Sequence, residues 1–459
     1  MDLIEMSLSI IILAAGFGKR MQSEYPKVLH KIGGKPILQY VVDTALTFTP
    51  NIYIVYGYGA ELVREQLRAL PVTWIPQQEL LGTGHAVLQA IPHLSDDHRA
   101  LILVGDCPFI KPDILKSLIN ETAQNEVGVI TAKLSDPSGY GRIVKDQAGK
   151  VSAIIEEKDA TTEQKQINEI NSGIIIAPVR YLKEWLPRLK NQNAQGEYYL
   201  TDIISLAKQQ KIDVKAALTS SNFEILGINN RVQLAQLERF YQQQMAEKIM
   251  MAGVTLLDPM RLDLRGNLQH EKDIIIDINV ILEGEIAIGS HTFIGPNCII
   301  KNTRIGRNVE IKANCVIEDA IIEDNCVIGP FARIRPEVQL CEGAHIGNFV
   351  EIKKSVIGKG SKVNHLSYIG DTSIGKNVNV GAGTITCNYD GANKHKTIIE
   401  DDVFIGSGTQ LVAPIKISEG TTIGAGSTII KNTPPGQLTL SRTKQETIAG
   451  WKRPKKKDK

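Results

Sequence analysis

No apolar run in this 459-residue chain is long enough to span a bilayer. That excludes a helical membrane anchor from its expected plan. No secretory leader is expected from residues 1–12, which have no basic stretch, and the apolar segment 10–13 is too short. Met6 is an alternative start to Met1. Charge of one sign is scarce. Fifty-two Lys and Arg against 50 Asp and Glu leave a formal net charge of +2, which argues against general nucleic-acid binding. Only the tail, Arg453 to Lys459, is basic, and it reads as a solvated terminus. The six cysteines show neither metal-site spacing nor a paired disulfide framework. Cys298, Cys315 and Cys326 fall at the small inward position of a repeat and read as core residues in a reducing cytosol.

What the sequence does have is a ladder of aliphatic residues six apart. It runs from Ile276 through Leu282, Ile288, Ile294 and Ile300 and on past Ile352, with occasional five-residue steps. Thr386 breaks its chemistry, and beyond a polar loop it resumes at Ile399 and ends at Ile429. A period of six suits neither an amphipathic helix nor one long strand. It is the signature of a hexapeptide solenoid, a parallel β-helix with three short strands per coil. Glycine often follows a rung, as at Gly289 and Gly347, and is expected to turn a tight corner. The small or β-branched residue four past each rung, such as Thr292 or Ala344, should fill the narrow interior.

The first half reads differently. Residues 10–13 form a buried strand, followed by the glycine-rich stretch Ala14-Ala15-Gly16-Phe17-Gly18-Lys19-Arg20-Met21 and then Pro26-Lys27. This is not a Walker loop, because Arg20 stands where Ser or Thr would bind magnesium. Nor is it a dinucleotide fingerprint, because Met21 replaces the third glycine. On spacing alone, a plain turn and a phosphate loop both remain open. Helical stretches at 36–47, 59–69 and 84–91 then alternate with strands at 52–56, 72–76 and 101–104. Alternation of this kind predicts a parallel sheet with helices on both faces and ligands at the carboxyl ends of its strands. Gly82-Thr83-Gly84 and Gly105-Asp106 fall at such ends, and Asp106 reads equally as a metal ligand or a turn cap. Residues 229–251 predict one long helix, and we expect domains at 1–228 and 252–459 joined by that linker.

Coil geometry adds two columns to the second half. Residues about 17–18 apart stack on adjacent coils roughly 4.8 Å apart, which puts Arg335, Lys353 and Gly370 in one column. Cations so placed repel unless solvent screens them or an anion bridges them. The column is therefore either a tolerated surface pair or a phosphate site with room over Gly370. The second column is His365, Ala382, Ser407 and Ala425, provided that residues 388–397 bulge out within one step. A histidine below a stripe of small residues suits a thin acyl-carrier arm and a proton acceptor for an attacking amine.

The order Leu13-Ala14-Ala15-Gly16, Pro26-Lys27, Gly82-Thr83-Gly84-His85-Ala86, Gly105-Asp106, Gly139-Tyr140-Gly141-Arg142, Glu156-x-Lys158-Asp159 and Asn171-x-Gly173 resembles the sugar-1-phosphate nucleotidyltransferases. Joined to a hexapeptide solenoid, it resembles the family of bacterial bifunctional UDP-N-acetylglucosamine pyrophosphorylases and glucosamine-1-phosphate N-acetyltransferases. The resemblance implies a Rossmann-like α/β domain, a linker helix and a left-handed parallel β-helix. It further implies that Leu13, Ala14, Gly16, Gln77, Gly82 and Thr83 bind the uridine nucleotide of UTP, with Arg20 and Lys27 at its phosphates. Asp106 and Asn229 would hold Mg²⁺, and Gly141, Glu156 and Asn171 the N-acetylglucosamine. In the solenoid, His365 would be the general base. Arg335, Lys353, Tyr368, Asn379 and Lys394 would bind glucosamine-1-phosphate, and Ala382, Asn388, Tyr389, Ser407, Ala425 and Arg442 acetyl-CoA. Such proteins are cytoplasmic homotrimers acting on small molecules, with acetyltransferase sites at subunit seams and no nucleic-acid or membrane partner. This chain departs from the family pattern at Phe17, Lys19, Val104 and Asn364, where Lys, Thr, Tyr and Gly are common. Two alternatives stay open: the same architecture acting on another sugar or nucleotide, and a non-catalytic assembly subunit.

Overall fold

Alternation along one buried strand sets up the first domain. In Leu8–Ala14 (β1), Ile10 and Ile12 join one apolar cluster and Ile11 joins another, so the strand carries a core on each face. The computed structural model describes residues 7–454 except 17, 58 and 220. The expectations for Met1, Met6, Phe17 and the last five residues of the basic tail lie outside them. The chain divides into two compact units, Met1–Phe240 and Tyr241–Lys459.

In the first unit, β1 pairs in parallel with Ile52–Tyr56 (β2) and with Arg99–Val104 (β4), and Thr73–Pro76 (β3) continues in parallel beyond β2. The four alternating strands are thus parallel as expected, and on the other side the sheet becomes mixed. The long strand Glu169–Pro178 (β8) runs antiparallel to both β4 and Val127–Lys133 (β5). Two short strands, Arg142–Lys145 (β6) and Val151–Ile155 (β7), attach to it as an antiparallel extension, and Val214–Leu218 (β9) pairs in parallel with β5 at the far edge. The order is β9-β5-β8-β4-β1-β2-β3. Strand β8 shifts register between Asn171 and Ile175, with Gly173 at φ +81°. A bulge of this kind re-aims side chains, and it occurs where β8 passes the ends of β1 and β4.

In the second unit the ladder becomes three stacks of parallel strands. Ile276, Ile294, Ile311, Ile328, Ile346, Val363, Val380, Ile405 and Ile423 form one stack, one rung per coil. The rungs that follow them in sequence form the other two, and almost all of the ladder residues are fully buried. This is the left-handed β-helix the period predicts. The structure adds a coil that the ladder misses: Val254–Leu256 and Leu262–His270 pair with the strands ending at Ile276 and Ile288. That coil is hidden in the sequence because its third rung is His270 rather than an aliphatic residue. The C-terminal half of the helix Arg231–Met251 packs Ala246 and Ile249 into the same apolar cluster, and the buried Gln242 amide bonds both backbone groups of Leu264 at 2.7 and 2.9 Å.

The rung glycines have a different cause from the one expected. A Cβ at Gly289 would lie 2.6 Å from the carbonyl carbon of Gly306, and one at Gly381 would lie 2.6 Å from the carbonyl oxygen of Ile405. They are needed for close stacking of coils. The left-handed corners are taken elsewhere, by residues such as Asn279, Asn297 and Asn314, at φ +58° to +60°. Cys298, Cys315 and Cys326 point into the interior, fully buried and free, as the repeat implies.

Candidate active sites

Strand ends and the β8 bulge surround a cleft of about 220 Å³ in the first unit. Seven of the expected residues line it: Leu13, Thr83, Asp106, Gly141, Glu156, Asn171 and Asn229. They come from seven separate stretches of chain, which is why no single motif announces the site. Thr83 Oγ1 accepts the Leu200 N–H at 3.0 Å, and the Asn171 side chain accepts the Gly173 N–H at 3.0 Å within the bulge. Glu156 accepts from the Thr201 hydroxyl at 3.1 Å. Burial holds the Glu156 carboxyl above its ordinary pKa; Thr201 opposes this, while Asp202, Asp159 and Glu197 reinforce it. Gly141 lies against Ile154 and Glu156: a Cβ there would stand 3.2 Å from Ile154 Cγ2 and 3.4 Å from both carboxylate oxygens.

Ala14, Gly16, Arg20, Lys27, Gln77 and Gly82 lie outside that lining, and several connect to it. Lys27 makes an ion pair with Asp106 and reaches Asn229 Oδ1 at 3.3 Å, and Arg20 donates to the same amide oxygen at 2.9 Å. Two cations, one carboxylate and one amide oxygen thus converge at the mouth of the cleft. Gln77 is buried at the end of β3, where its Nε2 donates to the Gly82 carbonyl at 3.2 Å and meets His85 Nδ1 at 3.0 Å. Ala14 is buried at the end of β1. Among the departures, Val104 lines the cleft and packs against Gly173, where a Cβ would stand 3.0 Å from its Cγ1.

Sequence reasoning assigned no role to Tyr140, Ser172, Thr201 or Ile225, which also line the cleft. Tyr140 and Ser172 stood inside quoted motifs, whereas Thr201 and Ile225 carry no local signal. Burial pushes the Tyr140 phenol up to about 12, and its oxygen is buried without a partner among the described residues. Arg142, in the same motif, is structural: its buried guanidinium bonds the Tyr140 carbonyl and pairs with Glu157 at 2.6 Å.

In the second unit both expected columns exist. Ile334, Ile352 and Ile369 are consecutive rungs, and Lys353 pairs directly with Gly370. The details differ from the expectation. Arg335 is paired with Glu351 at 2.8 Å, so it does not face Lys353 as an uncompensated charge. The cation beside Lys353 is Lys394, whose pKa is lowered by that contact and its like charge. The room over Gly370 is taken by protein: a Cβ there would stand 2.5 Å from the Tyr368 hydroxyl and 2.7 Å from Asn388 Nδ2.

The other column begins one coil earlier than expected. Asn348 pairs in register with His365, and its Oδ1 lies 2.9 Å from His365 Nδ1. An amide oxygen only accepts, so Nδ1 carries a proton, and in the neutral ring the lone pair is then on Nε2. Above His365, the Gly383 N–H bonds its carbonyl, the Gly408 N–H bonds that of Ala382, and the Gly426 N–H bonds that of Ser407. The stripe is thus continuous through Ala382, Ser407 and Ala425. Arg442 lies at its top, its Cδ 3.8 Å from where a Gly426 Cβ would be. Asn379 shares this face, paired with Lys362 and Phe404. The loop at 388–396 does bulge out between Thr386 and Ile399, carrying Asn388, the exposed Tyr389 and Lys394. Asn364 leaves the His365–Asn348 contact in place. Asn348 could have been found from the period, since it stands 17 residues before His365.

Comparison with known proteins places both units in families. Residues 10–212 match the MobA-like NTP transferase domain. Residues 285–319, 319–354 and 396–431 match the bacterial transferase hexapeptide (six repeats). The class is therefore a nucleotidyltransferase joined to a hexapeptide transferase, a bifunctional enzyme in one polypeptide. The chain is 52% identical, over 98% of its length and 99% of the relative's, to the "Bifunctional protein GlmU" of Marinobacter nauticus. It belongs to that family.

Proposed function

We propose that the two sites carry out consecutive steps in the synthesis of UDP-N-acetylglucosamine, a precursor of peptidoglycan and lipopolysaccharide. In the solenoid, the amine of glucosamine-1-phosphate attacks the thioester carbonyl of acetyl-CoA. His365 Nε2 takes the proton that the nitrogen loses and returns it to the departing sulfur, so coenzyme A leaves as the thiol. Lys353, Lys394, Arg335, Tyr368 and Asn379 hold the sugar phosphate. Ala382, Ser407, Ala425, Asn388, Tyr389 and Arg442 hold the acyl carrier.

In the first unit, a phosphate oxygen of N-acetylglucosamine-1-phosphate attacks the α-phosphorus of UTP and pyrophosphate leaves. Such a transfer needs positioning and charge cancellation more than covalent help. Leu13, Ala14, Gly16, Gln77, Gly82 and Thr83 hold the nucleotide, Arg20 and Lys27 face its phosphates, and Gly141, Glu156 and Asn171 hold the sugar. The Asp106 carboxylate and the Asn229 amide oxygen are hard oxygen donors that meet at Lys27. They suit Mg²⁺, which is commonly held by one or two protein oxygens together with substrate phosphates. When bound, the ion supplies charge neutralisation. The protein is expected to work in the cytosol as a homotrimer with its acetyltransferase sites at subunit seams; among the described residues no helix is long and apolar enough to cross a membrane.

The observation that carries this reading is His365 oriented by Asn348 at the foot of a continuous small-residue stripe. The test is thiol release from acetyl-CoA with glucosamine-1-phosphate as acceptor. The intact protein should release thiol only with the amino sugar present, and His365→Ala should cut the rate at least about a hundredfold. Release that ignores the amino sugar or survives the substitution would sink the assignment.

A further inference from the structure

The loop at 388–396 interrupts the ladder, yet it is anchored at both ends by Asp371. The Asp371 carboxylate accepts from Asn388 Nδ2, and its carbonyl accepts the Thr397 N–H at 3.2 Å. Inside the loop Asp390 performs a second closure. Its Oδ1 accepts the Ala392 and Asn393 N–H groups at 2.8 and 2.6 Å, and its Oδ2 meets His395 Nε2 at 2.6 Å. Tyr389 and Lys394 are thereby brought opposite each other as an antiparallel bridge.

The closed loop is seated beside Lys353: Asn388 Nδ2 would stand 2.7 Å from a Cβ on Gly370, the residue that pairs with Lys353, the Asp371 N–H bonds the Lys353 carbonyl at 3.1 Å, and Lys394 is near enough to Lys353 for the like charge to lower its pKa. Neither ammonium group has an ion-pair partner among the described residues, although many other cations of this unit do. Like charges in contact repel, and an unconstrained loop would relax by moving Lys394 away. We propose that Asp390 is a positioning residue for the phosphate of the amino-sugar substrate, holding Lys394 beside Lys353 before the phosphate arrives. A phosphate dianion between the two ammonium groups replaces repulsion with two charge-assisted hydrogen bonds. The proposal rests on the assignment of Lys353 and Lys394 to glucosamine-1-phosphate made above. It adds the residue that makes their geometry possible.

The test uses the full-length chain with Asp390→Asn, Lys394→Ala and the double variant. Three quantities are read: the KM of glucosamine-1-phosphate, the inhibition constant of inorganic phosphate against it, and the KM of acetyl-CoA. Asp390→Asn should raise the first two by about tenfold each, the loss of roughly one good contact. It should leave the acetyl-CoA value within about twofold, because Asn388 keeps its own anchor on Asp371. On the Lys394→Ala background, Asp390→Asn should add less than about twofold, because it acts through Lys394. Additive losses in the double variant would overturn the role, as would an acetyl-CoA KM that rises in step with that of the sugar. Should Asp390→Asn fail to fold, His395→Asn removes only the Oδ2 contact and should move the same two constants in the same direction; no movement would overturn the role. If the unaltered protein releases no thiol with glucosamine-1-phosphate, the site assignment itself fails and the clamp with it.

Discussion

Two side chains show how neighbours set the chemistry of a single group. His365 has one ring nitrogen on Asn348 and the other without a hydrogen bond among the described residues. Partners of this kind fix tautomer and ring orientation, and their loss commonly costs a factor of ten to a hundred. We expect Asn348→Leu to lower kcat for acetyl transfer by about tenfold while the KM of acetyl-CoA stays within about twofold, as read by initial rates of thiol release. Glu156 illustrates the opposite pressure. Its pKa in the folded protein lies above its unfolded value because burial penalises the charge. The folded state therefore holds that proton more tightly, and stability falls as pH rises through the carboxylate range. Glu156→Gln should raise the unfolding temperature at about pH 7.5, with the gain fading near pH 4, where the unfolded glutamate is also protonated. The same substitution should weaken sugar binding in uridylyl transfer, which separates its stability cost from its use.

At the scale of the element, the rung at Thr386 is the most informative. By the ladder alone it is a defect, and an aliphatic residue would mend it. In the fold, Thr386 is fully buried, and its Oγ1 accepts the Gly370 N–H at 2.8 Å and faces the Gly370 carbonyl at 3.2 Å. The loop that follows pulls the chain out of the coil, and the threonine replaces the bond that the regular strand would have made. Thr386→Val has the same shape and a better hydrophobic character. It should nevertheless destabilise the solenoid by about 1–3 kcal/mol, because it leaves a buried N–H without an acceptor. Denaturant unfolding followed through the second unit would decide the sign. The β8 bulge is the corresponding feature of the first unit, since it brings Asn171, Ser172 and Gly173 to the cleft lining while residues 172–174 leave the ladder with β5.

For the whole molecule, three neighbouring corners of the solenoid carry exposed Phe331, Phe349 and Leu366 at left-handed φ of +57°, +56° and +50°. Bulky residues are uncommon in that region, and apolar side chains grouped on a surface mark association. Phe349 and Leu366 follow Asn348 and His365 in sequence and Phe331 stacks on Phe349, which fits acetyltransferase sites at subunit seams. Sedimentation equilibrium should give three chains per particle, and Phe349→Lys should shift the distribution toward monomer. A monomeric parent protein would remove the seam from the proposal.

The six-residue period determined the solenoid without help, because each rung repeats one physical requirement: a buried aliphatic group on a two- or three-residue strand. That regularity also fixed the columns, so His365, Ala382, Ser407 and Ala425 could be aligned before any coordinate was known. The motifs at Leu13, Asp106 and Asn171 were legible as turns and strand ends. Their convergence on one cleft was not, since it depends on a mixed sheet and on a strand that reverses direction. Sequence spacing placed Arg335 and Lys353 in one column. Only the tertiary structure could pair Arg335 with Glu351 and bring Lys394 out of a loop to Lys353. Periodic burial is a local rule that repeats along the chain, whereas the pairing of charges is decided by which side chains arrive at the same place.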